Sequence, residues 1–220
     1  MTQERPRRRD TYRRRRRLPA LVLLLVLAVG VGVVWNKVLN STSDTVGALA
    51  CPAPPPAAAA PQGITPPKPG ARVEAPSLDS VAPAPPGSFV MRVLNANGQR
   101  GQAGLVSAEL IKTYGFAGAE PASANDALFY NQNMRCVGQI RFGPQGRAQA
   151  RTMHLMVPCA ELVQDTRQDN GVELSLGTLF GELTPSPDAR SILSTLRAAT
   201  PAAPAKLDPA LLTAAGTTGC

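Results

Sequence analysis

Eighteen residues, Leu18 to Trp35 (LPALVLLLVLAVGVGVVW), form an unbroken apolar run, and the arginine block Arg13 to Arg17 stands directly before them. As a helix rising about 1.5 Å per residue, such a run covers roughly 27 Å, close to the ~30 Å hydrocarbon thickness of a bilayer. Arginine resists translocation, so the expected topology keeps residues 1–17 in the cytoplasm, spans the membrane over 18–39 and places the rest outside. Tyr12 and Trp35 flank the run where amphipathic rings settle at the two interfaces. A cleaved signal peptide is the competing reading. Ala48-Leu49-Ala50 is an A-x-A site, and the following Cys51 resembles a lipoprotein cleavage position. Both lie more than ten residues beyond the apolar run, which is also longer than the 7–15 residues usual for a signal h-region, so an uncleaved anchor is expected.

The formal net charge of +8 comes almost wholly from the tail. Residues 1–17 hold nine arginines against Glu4 and Asp10, a net of +7, which leaves fourteen basic and thirteen acidic residues elsewhere. This is a topology and lipid-surface signal, since each basic residue near an anionic leaflet contributes about 1 kcal/mol. No aromatic interleaving or recognition helix accompanies it, so nucleic acid is not an expected partner.

Residues 51–87 carry twelve of the chain's twenty-two prolines, mixed with alanine. That composition favours extended polyproline II and predicts a linker over 40–87, a stalk for the domain that follows. Hydrophobic periodicity starts at residue 88. Ser88 to Leu94 (SFVMRVL) fits a strand, and a helix over about 102–114 follows, with Ala103, Val106, Leu110 and Tyr114 on one face. Gly115 is placed to end that helix in the left-handed conformation. A short strand near 118–122 is next, then Cys136 to Phe142 (CVGQIRF) as another strand and a helix over 147–157 stopped by Pro158. Glu161 to Gln164 and Val172 to Leu176 flank Asp169-Asn170-Gly171 as an expected hairpin. The fold class is therefore α/β, a small two-layer sandwich of βαββαββ order over 88–182 with its helices on one face of the sheet. Beyond it, Ser186-Pro187-Asp188 should cap a short helix in the 183–220 extension, whose remainder is expected to be loose.

Cys51, Cys136, Cys159 and Cys220 all fall on the expected outer side, where disulfides persist. The strand from Cys136 and the returning helix to Val157 should bring Cys136 and Cys159 to the same edge, which predicts a Cys136–Cys159 disulfide. No CxxC or Cys/His cluster suggests a metal, and no cofactor is expected.

Two groups are candidate binding residues. Arg147, Arg151 and His154 follow helical i, i+4, i+7 spacing, either as a solvated basic face or as a stripe for anionic wall polymer, to which a guanidinium is well matched. Asn97, Gly98, Arg100 and Gly101 form a glycine-rich turn before a helix, either an ordinary turn or an anion-binding nest. No GxSxG, HExxH or carboxylate pair at an apolar cleft supports catalysis, so no catalytic residue is assigned. Ala28 and Gly32 have small-xxx-small spacing, a pattern too common to predict dimerisation.

The segments Val93-Leu94-Asn95-Ala96-Asn97-Gly98, Gly101-Gln102-Ala103-Gly104-Leu105-Val106, Tyr114-Gly115-Phe116 and Leu174-Ser175-Leu176-Gly177 resemble the LytR C-terminal domain family over about residues 88–181. With the basic tail, the span and the proline-rich segment, the similarity extends over the whole chain to actinobacterial envelope integrity proteins. The resemblance implies a plasma-membrane protein with its main domain outside. That domain would bind a wall polymer or an envelope assembly partner without catalysis. Related domains often follow catalytic domains that attach polymers to peptidoglycan, so an accessory subunit or cryptic transferase for lipid-linked glycans is the alternative. The arginines and aspartates with which those enzymes hold polyprenyl phosphate have no counterpart in this chain.

Overall fold

The structure, a computed structural model, describes residues 21–31, 50–199 and 205–216. It divides into two units, Met1–Gly47 and Ala48–Cys220. In the first, residues 21–31 are helical (α1), and their large apolar side chains are exposed, from Leu21 through Val31. No described helix is long and apolar enough to cross a membrane. The basic tail and the rest of the apolar run lie outside the described residues.

The second unit is built on one six-stranded sheet. Its strands are β1 (Ala71–Val73), β2 (Val90–Asn95), β3 (Ala117–Asn125), β4 (Gly138–Phe142), β5 (Glu161–Gln164) and β6 (Val172–Leu176), in the order β1-β5-β4-β6-β2-β3. Two parallel crossovers form the frame. The first runs from β2 through α2 (Gln102–Lys112) to β3, the second from β4 through α3 (Arg147–Met156) to β5. Strand β6 joins them, parallel to β2 and antiparallel to β4. The expected α/β sandwich is present with one more strand.

Side-chain alternation along the strands assigns the two faces of the sheet. Met91, Val93, Ile140, Phe142, Val172, Leu174 and Leu176 join Ala103, Val106 and Leu110 of α2 and Ala150, Met153 and Met156 of α3 in the main core. Helix α2 ends as expected: Gly115 has φ of 75°, its amide donates to the Ile111 carbonyl, and that of Phe116 donates to the Leu110 carbonyl. The Gly115 bond, four residues back from the left-handed residue, is the αL closure, and glycine takes that conformation without a Cβ penalty. Helix α4 (Pro187–Ala198) also begins as expected, with the Ser186 side chain accepting from the Ala189 amide at 3.1 Å.

Three expectations about organisation are corrected. The proline-rich segment is not a free stalk from residue 51 onward. Cys51 is buried, β1 pairs antiparallel with the β5 edge, and Leu78 and Ala84 enter the main core. Proline excludes helix and central strand, yet a proline-free triplet between prolines can still pair at an edge. Next, β5 and β6 do not form a hairpin, because β4 lies between them. The connecting residues 165–171 are long enough to step across it. Finally, the extension is not loose over 205–216. Helix α5 (Pro209–Gly216) carries Ala215 into a cluster with Leu155, Ala189, Ile192 and Leu196.

Candidate functional site

The opposite face of the sheet is polar by sequence. Gln139 and Arg141 alternate with Ile140 and Phe142 on β4, Glu173 and Ser175 with Leu174 on β6, and Arg92 with Met91 and Val93 on β2. Register places Arg92, Glu173 and Arg141 in one row across three adjacent strands. Burying such a row is costly unless each charge is paired.

The pairing comes from the connection after β3. Asp126 is 1% exposed and lies against Arg141, which reaches both carboxylate oxygens, Nη1 to Oδ1 at 3.0 Å and Nη2 to Oδ2 at 2.8 Å. The same carboxylate accepts from the amides of Leu128 and Phe129 and from the Ser175 hydroxyl. Burial alone would raise the Asp126 pKa, but the Arg141 charge and these bonds prevail and hold it below its ordinary value. Arg141 also donates to Gln139 Oε1 and stacks 5.7 Å from the Phe129 ring centroid. Phe129 belongs to a small cluster with Cys51, Ala96, Leu128, Met134 and Cys136 that caps this half of the face.

Towards the other end, Arg167 bridges Asp165 at 2.6 Å and Glu173 at 2.8 Å. Although burial opposes its charge, the two carboxylates hold Arg167 firmly protonated, and Arg167 in turn keeps Asp165 below its ordinary range. Beside this clamp a groove of about 330 Å³ opens between the start of β2, β3 and the loop after β5. It presents fixed charge and hydrogen-bonding groups without a nucleophile held against a base. Among the described residues, no group of three or more His, Cys, Asp and Glu could hold a metal ion.

The basic stripe predicted on α3 is not an exposed face. Arg151 is 4% exposed and pairs with Asp79 of the proline-rich segment at 3.0 Å, while Arg147 donates to the Ser77 carbonyl at 2.7 Å. A helical wheel finds the face but cannot show that residues 77–79 cover it. His154 is 5% exposed. Burial and the nearby Arg151 charge lower its pKa, outweighing the Pro158 carbonyl and Asp79. The unfolded chain therefore takes up the His154 proton first as pH falls. Its contribution to stability should be intact above about pH 6.5 and lost as pH falls towards the lower folded pKa, about 1.4 kcal/mol per unit of lowering. Thermal midpoints measured from pH 7.5 to 5 should show this slope in the natural chain and a flatter one in His154→Gln.

The glycine-rich turn uses the donors of Asn97, Gly98 and Gln99 internally. Asn95 Oδ1 accepts from the amides of Asn97 and Gly98, and Asn97 Oδ1 accepts from that of Gln99. Asn97 Nδ2 donates to Gln102 Oε1 at 2.6 Å and to the Gly177 carbonyl at 2.9 Å. The turn thus locks β2, α2 and the end of β6 together. Gly177 meets the Cys136 and Met134 carbonyls so closely that a Cβ would collide with them. Both residues belong to the segments singled out in the sequence, and both act in assembly of the fold.

The predicted Cys136–Cys159 pair is corrected. Cys136 bonds Cys51 with an S–S distance of 1.97 Å and a Cα–Cα distance of 4.8 Å, and Cys159 is disulfide-bonded separately. The strand–helix return does place the approaches to β4 and β5 side by side, since Gln139 pairs with Glu161. Residue 51 competes for the site. Its amide donates to Glu161 Oε1, its carbonyl accepts from Arg72, and its Sγ lies 3.4 Å from the Gly138 carbonyl oxygen. Arg92, Arg141, Asp126 and Glu173 were not singled out from the sequence. The available signal was the charge interrupting two otherwise apolar strands.

A sheet of two parallel crossovers, with a buried ion pair on its polar face and a disulfide-fastened strap, defines a small α/β domain. The family described as LytR cell envelope-related transcriptional attenuator matches residues 89–180, and the chain belongs to it. The chain is 39% identical over 202 residues, 91% of its own length and 88% of the relative's, to the cell envelope integrity protein Cei of Mycobacterium tuberculosis. It also resembles the crystal structure of the soluble domain (residues 71–217) of a conserved hypothetical secreted protein from Mycobacterium marinum. That match has a TM-score of 0.62 and 40% identity, covering 70% of this chain and 99% of the other.

Proposed function

We propose that the chain is a single-pass plasma-membrane protein that supports cell-envelope integrity. In this reading its N-terminus is cytoplasmic, and its outer domain binds a wall polymer or an envelope assembly partner without catalysis. The observation that carries the reading is the oxidation state. Cys51, Cys136 and Cys159 are all in disulfides, bonds that persist outside the reducing cytoplasm. The apolar residues exposed around the whole of α1 support an anchor, since a helix apolar on all sides needs an apolar surrounding. Similarity to Cei along nearly the full length of both chains supports the envelope role. A glycan transferase or its accessory subunit is the weaker reading. The chain's single histidine is buried, with its charged form disfavoured, and it does not line the groove beside Arg167.

Fusing alkaline phosphatase after Cys220 tests the placement. The enzyme needs an oxidising compartment, so activity in intact cells is expected, and it should be lost when residues 1–35 are deleted. Activity confined to a strictly cytoplasmic reporter at the same position would refute the reading.

A further inference from the structure

Arg92 is the one charged residue in β2, and its register partner on β6 is Glu173. A direct cross-strand pair would be the ordinary outcome. Instead Glu173 turns to Arg167 at 2.8 Å, and among the described residues Arg92 forms no ion pair. Its Nε donates to the Pro121 carbonyl at 3.2 Å, which fixes the base of the guanidinium, and its terminal N–H groups bond no described residue. The wall beside it is opened by β3. Met91 pairs with Gly118 but Val93 with Ser123, so four residues of β3 bulge opposite Arg92 where one would pair. The groove of about 330 Å³ sits there.

Its lining has three chemistries in fixed positions. Arg92 offers a planar cationic fork, suited to a carboxylate or phosphate. Asp169 and Glu173 offer acceptors. Asp169 Oδ1 takes the Gly171 amide and Glu173 Oε2 takes Arg167, while the second oxygen of each bonds no described residue. Val90, on the same face as Arg92 and 50% exposed, offers an apolar rim. An acid, several hydroxyl donors and a weakly apolar ring face occur together in an acidic sugar. The volume lies at the small end of ligand pockets, the size for one or two rings.

We propose that this groove binds a sugar bearing a carboxylate or phosphate, with Arg92 holding the acid and Asp169 and Glu173 the hydroxyls. The proposal rests on the wall-binding reading above and gives it a location. The Arg167 clamp matters because it orients Glu173 before any ligand arrives, so the site pays little ordering entropy.

The test uses the full chain in detergent micelles and three probes. They are the disaccharide of N-acetylglucosamine and N-acetylmuramic acid, a phosphate monoester of N-acetylglucosamine, and neutral chitobiose. At least one acidic probe should bind about tenfold or more tightly than chitobiose, and which one does so identifies the acid. Arg92→Gln should abolish that preference and Arg92→Lys retain part of it, with thermal midpoints within about 2 °C of the natural chain. Equal binding of neutral and acidic probes, or a preference that survives Arg92→Gln, would overturn the proposal. Co-sedimentation of the same preparations with purified cell walls separates the two levels. A natural chain that pellets with walls but shows no acid preference refutes this site alone. One that binds the acidic probe through Arg92 but ignores walls supports the site and refutes wall-polymer binding.

Discussion

Replacing Cys51 and Cys136 together by alanine should lower the unfolding free energy of the outer domain by about 4–5 kcal/mol. The bond closes a loop with a sequence separation of 85, and the entropy that such a closure removes from the unfolded chain is worth about that much at 25 °C. The loss is a large share of the roughly 5–15 kcal/mol that stabilises a typical domain. Its structural signature should be local before it is global. The segment ahead of β1 is held by the disulfide, by the Cys51 contacts to Glu161 and Arg72, and by three residue pairs with β5. Without the bond, protease should cut the exposed stretch around Gly63 at denaturant concentrations that leave the sheet intact. Guanidinium unfolding of both proteins, with proteolysis sampled below the transition, measures the two effects. A loss under about 1 kcal/mol with unchanged cleavage would mean that the strap is held by its packing alone.

Asp126→Ala is the second large effect, about 3–5 kcal/mol at neutral pH. The substitution removes the acceptor of two Arg141 bonds, of two main-chain amides and of the Ser175 hydroxyl, leaving a guanidinium buried mid-sheet without its hydrogen-bonded carboxylate. The double variant Asp126→Leu with Arg141→Met, which removes both charges while keeping bulk, should recover much of the loss. The pH dependence has a definite sign. Because the folded pKa of Asp126 lies below the ordinary 3.8, its contribution is complete above that value and vanishes as pH falls through the folded pKa. The gap between natural chain and Asp126→Ala should therefore narrow in acid, as read from urea midpoints at successive pH values. A constant gap would show that packing rather than charge carries the effect.

What the sequence disclosed and what it concealed divide along the range of the interactions. The run SFVMRVL, the i, i+3/i+4 face of α2, Gly115 and the Ser186-Pro187 start of α4 all act within a few residues, and each sits as read. The hairpin, the free stalk and the exposed stripe all depended on what packs from far along the chain. A turn signal at Asp169-Asn170-Gly171 cannot report that β4 enters between its flanking strands. The helical spacing of Arg147 and Arg151 is correct, yet their partners, Ser77 and Asp79, lie some seventy residues earlier. Composition was misleading in the same way for Cys51. Twelve prolines suggested extended chain, and extended chain is the conformation that can lie along a sheet edge and carry a thiol to Cys136. The polar face was partly visible, since charged residues in apolar strands demand partners. Asp126, which supplies the partner to Arg141, stands outside any strand and gave no local sign.

The central claim is that this domain works outside the cytoplasm with its proline-rich strap fastened to the polar face of the sheet. Its most direct measurement is non-reducing peptide mapping of the full chain isolated, with thiols alkylated beforehand, from the envelope fraction of its native cells. The account predicts a linked peptide pair containing Cys51 and Cys136, with Cys159 also unavailable to the alkylating reagent. Recovery of alkylated Cys51 and Cys136, or of Cys136 joined to Cys159, would contradict it.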